Sequence, residues 1–124
     1  MKKIKPKDLD YEIEFYERLL EKRPHYIDAL MALGEVYTQR GLYQKGLEVD
    51  KRLVQIKEKD PIVFYNLACS YSLLEKIDES IEALLKAISL GYYDFRHMQF
   101  DPDLKNIQKD KRFQEIIKQA KDAR

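Results

Sequence analysis

Leu30-Met31-Ala32-Leu33-Gly34-Glu35-Val36-Tyr37 returns thirty-four positions later as Phe64-Tyr65-Asn66-Leu67-Ala68-Cys69-Ser70-Tyr71. In both stretches large apolar residues hold the first, fourth and eighth places and a small residue holds the fifth. A second set keeps the same step. Tyr43, Leu47, Leu53 and Val54 return as Ile77, Ile81, Ala87 and Ile88, and appear one cycle earlier as Leu9, Ile13, Leu19 and Leu20. A fixed period of this size marks a chain built from stacked copies of one supersecondary unit. Within a cycle, apolar residues fall at 27, 30, 34 and 37 and, in the other half of the unit, at 77, 81, 84 and 88, which is helical spacing. The unit is therefore a pair of helices. The spacing predicts helices over about 8–23, 26–40, 43–58, 61–74 and 77–90, with no alternating pattern that would suggest strands.

The punctuation agrees. Gly41 and Gly91 suit the left-handed residue that ends a helix, and Asp60 ahead of Pro61 suits an N-cap followed by the first helical position. Gly34 and Gly46 lie inside predicted helices, where glycine costs about 1 kcal/mol relative to alanine. Close approach of the paired helices offsets that penalty, and Ala68 and Ser80 are the equally small residues one cycle on. Asp50 breaks the pattern, because Tyr16 and Leu84 put apolar side chains at the same place in the neighbouring cycles. A carboxylate at a packing position is expected to be hydrogen-bonded.

These residues resemble the tetratricopeptide repeat, carried by Leu30, Leu33, Gly34 and Tyr37 in one unit and by Phe64, Leu67, Ala68, Tyr71, Ser80, Leu84 and Ala87 in the next. Tyr16, Leu19 and Pro24 sit where a lone second helix of such a repeat would place them. The resemblance implies an all-α fold, a right-handed α-α superhelix or solenoid of helix-turn-helix repeats. One domain over 1–124 is expected, with a half repeat at 9–26, full repeats at 27–60 and 61–94, and a C-terminal cap at 95–124. After Gly91 the period fails. Asp101-Pro102-Asp103-Leu104 reads instead as a helix start, and Asp110 before Phe113, Ile116, Ile117 and Ala120 reads as a last amphipathic helix. This region resembles the closing segment of bacterial tetratricopeptide arrays, and a stack with apolar ends needs such a cap.

Composition narrows the function further. The 124 residues include 23 basic and 22 acidic side chains, a net charge of +1, so no global field draws the chain to nucleic acid or an anionic membrane. No run approaches the roughly 20 apolar residues of a membrane span. Behind Lys2, Lys3, Lys5 and Lys7 there is no apolar stretch of the signal-peptide kind, and the single Cys69 builds no internal disulfide. A cytoplasmic protein is the expectation.

Cys69, His25 and His97 lack paired-ligand spacing, and seventy-two residues separate the histidines. No metal, cofactor or catalytic residue is expected, and the chain is read as a non-enzyme. Tyr16, Tyr37, Tyr43 and Tyr71 fall at packing positions, leaving Tyr65 as the aromatic expected on the surface.

The resemblance further implies that the first helix of each pair lines a peptide-binding groove. Carried to this chain, that face comprises Asp28, Met31, Glu35, Thr38 and Gln39 in one unit. In the next it comprises Ile62, Tyr65, Asn66, Cys69, Ser72 and Leu73. Asp28 and Glu35 would repel carboxylates, so the expected partner is a protein or peptide segment of neutral or basic character. A homo-oligomeric or assembly role through the same surface is the alternative.

Overall fold

A computed structural model describes residues 6–123, in which the chain is helical throughout and no strand occurs among the described residues. Lys2, Lys3, Lys5 and Arg124 lie outside them. Five helices follow the thirty-four-residue cycle: α1 (Pro6–Lys22), α2 (Ile27–Arg40), α3 (Tyr43–Ile56), α4 (Pro61–Leu73) and α5 (Ile77–Ser89). Two further helices, α6 (Phe95–Phe100) and α7 (Lys111–Asp122), flank a 3-10 turn at Pro102–Ile107. The described residues divide into two compact units, one ending at Glu58 with α1 to α3 and one beginning at Lys59 with the remainder.

In the first unit α2 packs against both α1 and α3. Leu9, Ile13 and Leu20 of α1, Leu30 and Leu33 of α2, and Leu47 and Leu53 of α3 are buried. Gly34 and Gly46 stand where α2 meets α3. A Cβ built on Gly46 would come within 3.4 Å of the Thr38 hydroxyl, and one on Gly34 within 3.4 Å of the Val49 side chain. The small residues therefore mark the crossing, as the spacing implied. Asp50 is buried at the same crossing, its Oδ1 3.5 Å from that Gly34 Cβ position.

The second unit repeats the arrangement with α4 on α5. At this crossing the Ser80 hydroxyl donates to the Ala68 carbonyl at 2.7 Å, both residues being fully buried. Asp60 caps α4 by accepting from the Ile62 amide, with Pro61 as the first helical residue.

Beyond α5 the helix start expected at Asp101 is found, with Asp101 as the N-cap and Pro102 in the first turn. A short α6 precedes it, and Pro102–Ile107 winds as a 3-10 turn that packs on α4 and α5. Met98, Leu104 and Ile107 are wholly buried, so this segment completes the core of the unit. Burial of large apolar side chains stabilises by roughly 1.5 to 3 kcal/mol each.

The last helix begins where expected. Asp110 caps α7 through the Arg112 amide, and the Arg112 guanidinium reaches Asp110 and, at 2.8 Å, Asp78 in the first turn of α5. Hydrogen bonds from Arg112 hold the Asp110 carboxyl down to about 2.

The first helix of each repeat closes in the same way. Leu42 donates to the Tyr37 carbonyl at 2.8 Å and Gly41 to Thr38; one cycle later Lys76 donates to Tyr71 and Glu75 to Ser72, both at 2.9 Å. This termination needs a left-handed residue. Gly41 adopts φ 84° freely, whereas Glu75 adopts φ 60° with a Cβ that opposes it. Glu75→Gly is therefore expected to stabilise the chain by about 1 kcal/mol. Gly41→Glu should destabilise it by a similar amount. Chemical denaturation of both variants checks this; a Glu75→Gly variant less stable than the parent would contradict it.

Candidate functional site

The face assigned to α2 is partly open. Asp28, Glu35 and Gln39 are exposed and Met31 is half-buried beside them. Thr38 turns instead toward α3, its hydroxyl donating to the Gly34 carbonyl at 3.1 Å. Elsewhere in this unit the Tyr37 hydroxyl donates to Glu17 at 2.5 Å. Burial, reinforced by that carboxylate, keeps the phenol above its ordinary range and therefore protonated.

The matching face of α4 is largely covered by its own chain. Ile62 is 49% exposed, and Asn66 and Leu73 are half-buried. Tyr65, Cys69 and Ser72, one helical turn apart along the centre of the stripe, are buried. The expectation of an exposed Tyr65 is thus corrected: the segment after α5 lies over it.

Asp101 makes that closure. Its Oδ1 accepts from the Asp103 amide at 3.0 Å and so starts the 3-10 turn. Its Oδ2 accepts from the Tyr65 hydroxyl at 2.7 Å, with His97 Nε2 at 3.2 Å and Cys69 Sγ at 3.8 Å. The Tyr65 ring stacks parallel to Tyr92 with centroids 4.3 Å apart and lies tilted against His97. Further along, Asn106 donates to the Ser72 carbonyl at 2.8 Å. Burial, followed by the neighbouring Cys69 and Asp101, raises the Tyr65 hydroxyl far above its usual range, so it stays a donor. Tyr92 is pushed up to about 12, mainly by burial. Burial and the nearby Asp101 also raise Asp103, against the opposing pull of His97. In the sequence Asp101 showed only its N-cap signature; its second role needed the fold.

The cluster is a lock between segments. Tyr65, Cys69, His97 and Asp101 are brought together, but the carboxylate already accepts from the groups around it. His25 is exposed and belongs to the first unit, so it is no member of this cluster. Among the described residues no group of three or more His, Cys, Asp and Glu side chains could hold a metal ion. No described helix is long and apolar enough to cross a membrane.

A thirty-four-residue helix hairpin, repeated, with small residues at its crossing and a left-handed residue closing its first helix, defines a class of α-helical repeat proteins. Residues 62–90 match the family model described as the tetratricopeptide repeat. The chain is 34% identical over 89 residues to a chloroplastic protein of Arabidopsis thaliana, a match covering 69% of this chain and 27% of that protein. It is 28% identical over 79 residues to a TPR repeat-containing protein of Methanocaldococcus jannaschii, covering 64% of this chain and 14% of the relative. This chain belongs to the tetratricopeptide-repeat proteins. It spans about a quarter of the first relative and about a seventh of the second. The repeat is a non-catalytic module that generally mediates interaction between proteins.

The threonine and serine hydroxyls at equivalent positions of the two repeats differ in a way that can be measured. Thr38 serves the Gly34 carbonyl, but in the next repeat Ser80 takes the Ala68 carbonyl, and the buried Ser72 hydroxyl has no hydrogen-bond partner among the described residues. Ser72→Ala should therefore leave stability within about 0.5 kcal/mol of the parent or raise it. Tyr65→Phe keeps the stacked ring yet strips a donor from a buried carboxylate, and should lower stability by about 1.5 to 3 kcal/mol. Urea denaturation distinguishes the two, and equal effects of both substitutions would contradict this account of the lock.

Proposed function

We propose that the chain acts as an adaptor, holding a protein or peptide segment on the face of α2 formed by Asp28, Met31, Glu35 and Gln39. The observation that carries this reading is the pairing of a half-exposed methionine with two exposed carboxylates on the first helix of a tetratricopeptide repeat. Methionine adapts its shape to varied apolar side chains, and the flanking acids select the charge of any segment that docks there. A neutral or basic segment with an apolar anchor fits. On the other unit, Ile62, Asn66 and Leu73 offer a smaller contact, since Tyr65, Cys69 and Ser72 are occupied by the segment from Tyr92 to Ile107. Thr38 supports the helix crossing rather than the partner. The cytoplasmic assignment rests on the sequence alone, and the Arabidopsis relative is by its name a chloroplast protein.

Calorimetric titration with a pool of basic amphipathic peptides tests the reading, with Glu35→Lys as the variant. Glu35 is exposed, so reversal of its charge leaves the fold intact. Binding by the parent and a loss of about tenfold or more in the variant are expected, from one attractive charge contact replaced by a repulsive one. Failure to bind the pool, or an affinity unchanged by the reversal, would remove the α2 face from the proposal.

A further inference from the structure

Two aromatic patches remain exposed, and they differ in charge. On unit 2, cavities of 580 and 770 Å³ adjoin one another, sharing Gln99, Phe100 and Ile117 in their walls. Together they form a trough bounded by α6, the 3-10 turn and α7. Phe113 is buried in its wall, while Phe100 and Tyr93 stand 71% and 84% exposed. An aromatic surface this open is unusual unless something packs on it. Lys105, Arg96 and Lys121 line the trough, Asp94 is the one carboxylate in its walls, and none of the three cations has an ion-pair partner among the described residues.

The second patch lies on α1, opposite its buried stripe of Leu9, Ile13 and Leu20. Asp8, Tyr11, Glu12 and Phe15 succeed one another at helical spacing along the outer side, Tyr11 being 75% and Phe15 56% exposed. The helix carries six carboxylates and three cations. Asp10 is paired with Arg40, and Glu14 with Arg18, but Asp8 and Glu12 beside the two rings have no such partner among the described residues. The patch is thus an acidic helix with two aromatic knobs.

We propose that the trough on unit 2 receives the Asp8, Tyr11, Glu12 and Phe15 face of α1 from a second copy of this chain. The aromatic rings enter the apolar walls near Phe100 and Ile117, and the Asp8 and Glu12 carboxylates meet Lys105, Arg96 and Lys121. Charge complementarity chooses the occupant: the α1 stripe supplies both the knobs and the sign that the trough lacks. Because the two surfaces differ, the contact is head-to-tail, and each copy keeps one surface for the next neighbour. This association is separate from the α2 face proposed above and does not depend on it.

Sedimentation equilibrium of the full chain tests the idea at several concentrations and two salt levels. The mean mass should climb above the 14.9 kDa monomer as concentration rises, and less so in high salt. One variant, Tyr11→Ser with Phe15→Ser, removes the knobs; another, Lys105→Glu with Lys121→Glu, reverses the trough. All four side chains are exposed, so unchanged thermal unfolding is expected of both. Each variant alone should associate at least about tenfold more weakly than the parent. Mixed together they should form a one-to-one pair and stop there, since only one live knob and one live trough remain. A parent chain that stays monomeric at millimolar concentration overturns the proposal, as do variants that associate like the parent or a mixture that stays monomeric. Equal affinity of the trough for a peptide of residues 6–22 and for an unrelated acidic peptide bearing two aromatics would also overturn it, assigning the trough to a client instead.

Discussion

A buried carboxylate must be surrounded by donors, and in this chain that requirement shapes the second unit. Asp101 is 7% exposed, yet it accepts from a backbone amide on one oxygen and faces Tyr65, His97 and Cys69 with the other. Leaving such a group unpaired costs several kcal/mol, more than most single contacts in a small protein contribute. The Tyr65 hydroxyl can reach it only when the segment after α5 folds back along α4. Once there, Met98, Leu104 and Ile107 become core residues and Asn106 finds the Ser72 carbonyl. A polar contact sets the register, and apolar burial supplies the larger stabilisation.

The consequence reaches function. The proposed function places a partner on the first helix of a repeat, and on α4 the centre of that face is filled from within. The α2 face carries no comparable cover from its own unit and keeps its charged residues in solvent. The two repeats, alike in backbone, are therefore unlike in the side chains they expose on this face. The difference arises from the segment beyond the second repeat rather than from the repeats themselves.

Much of the fold was legible because it repeats. The thirty-four-residue period located five helices to within two residues at each end, and Gly34, Gly46, Ala68 and Ser80 announced the crossings where they are found. Gly41 and Asp60 stated their caps directly. Glu75 was illegible for the opposite reason: nothing about a glutamate advertises φ 60°, and only its equivalence to Gly41 reveals the strain. Of the α2 residues that the resemblance assigned to the groove, Asp28, Glu35 and Gln39 are exposed and Met31 is half-buried, while Thr38 turns toward α3. The α4 part was misread at Tyr65, Cys69 and Ser72. The groups that cover them lie more than twenty residues downstream in a stretch without periodicity, and no local pattern encodes a pairing such as Tyr65 with Asp101. Sequence periodicity describes which face a residue occupies; the cover on that face is a tertiary fact.

The central claim is that the segment from Tyr92 to Ile107 is a folded part of the second unit and not a detachable cover on α4. Cys69 reports on it, being the single cysteine of the chain and buried beneath that segment. The most direct measurement is the rate at which an excess of a thiol reagent labels Cys69, monitored across a range of urea concentrations below the unfolding transition. If the segment is integral, labelling requires cooperative opening of the unit, and its free energy should fall with urea along the slope found for unfolding of the second unit. Fast labelling with little dependence on urea would mean that the segment lifts away while α4 and α5 stay folded, and would contradict the account.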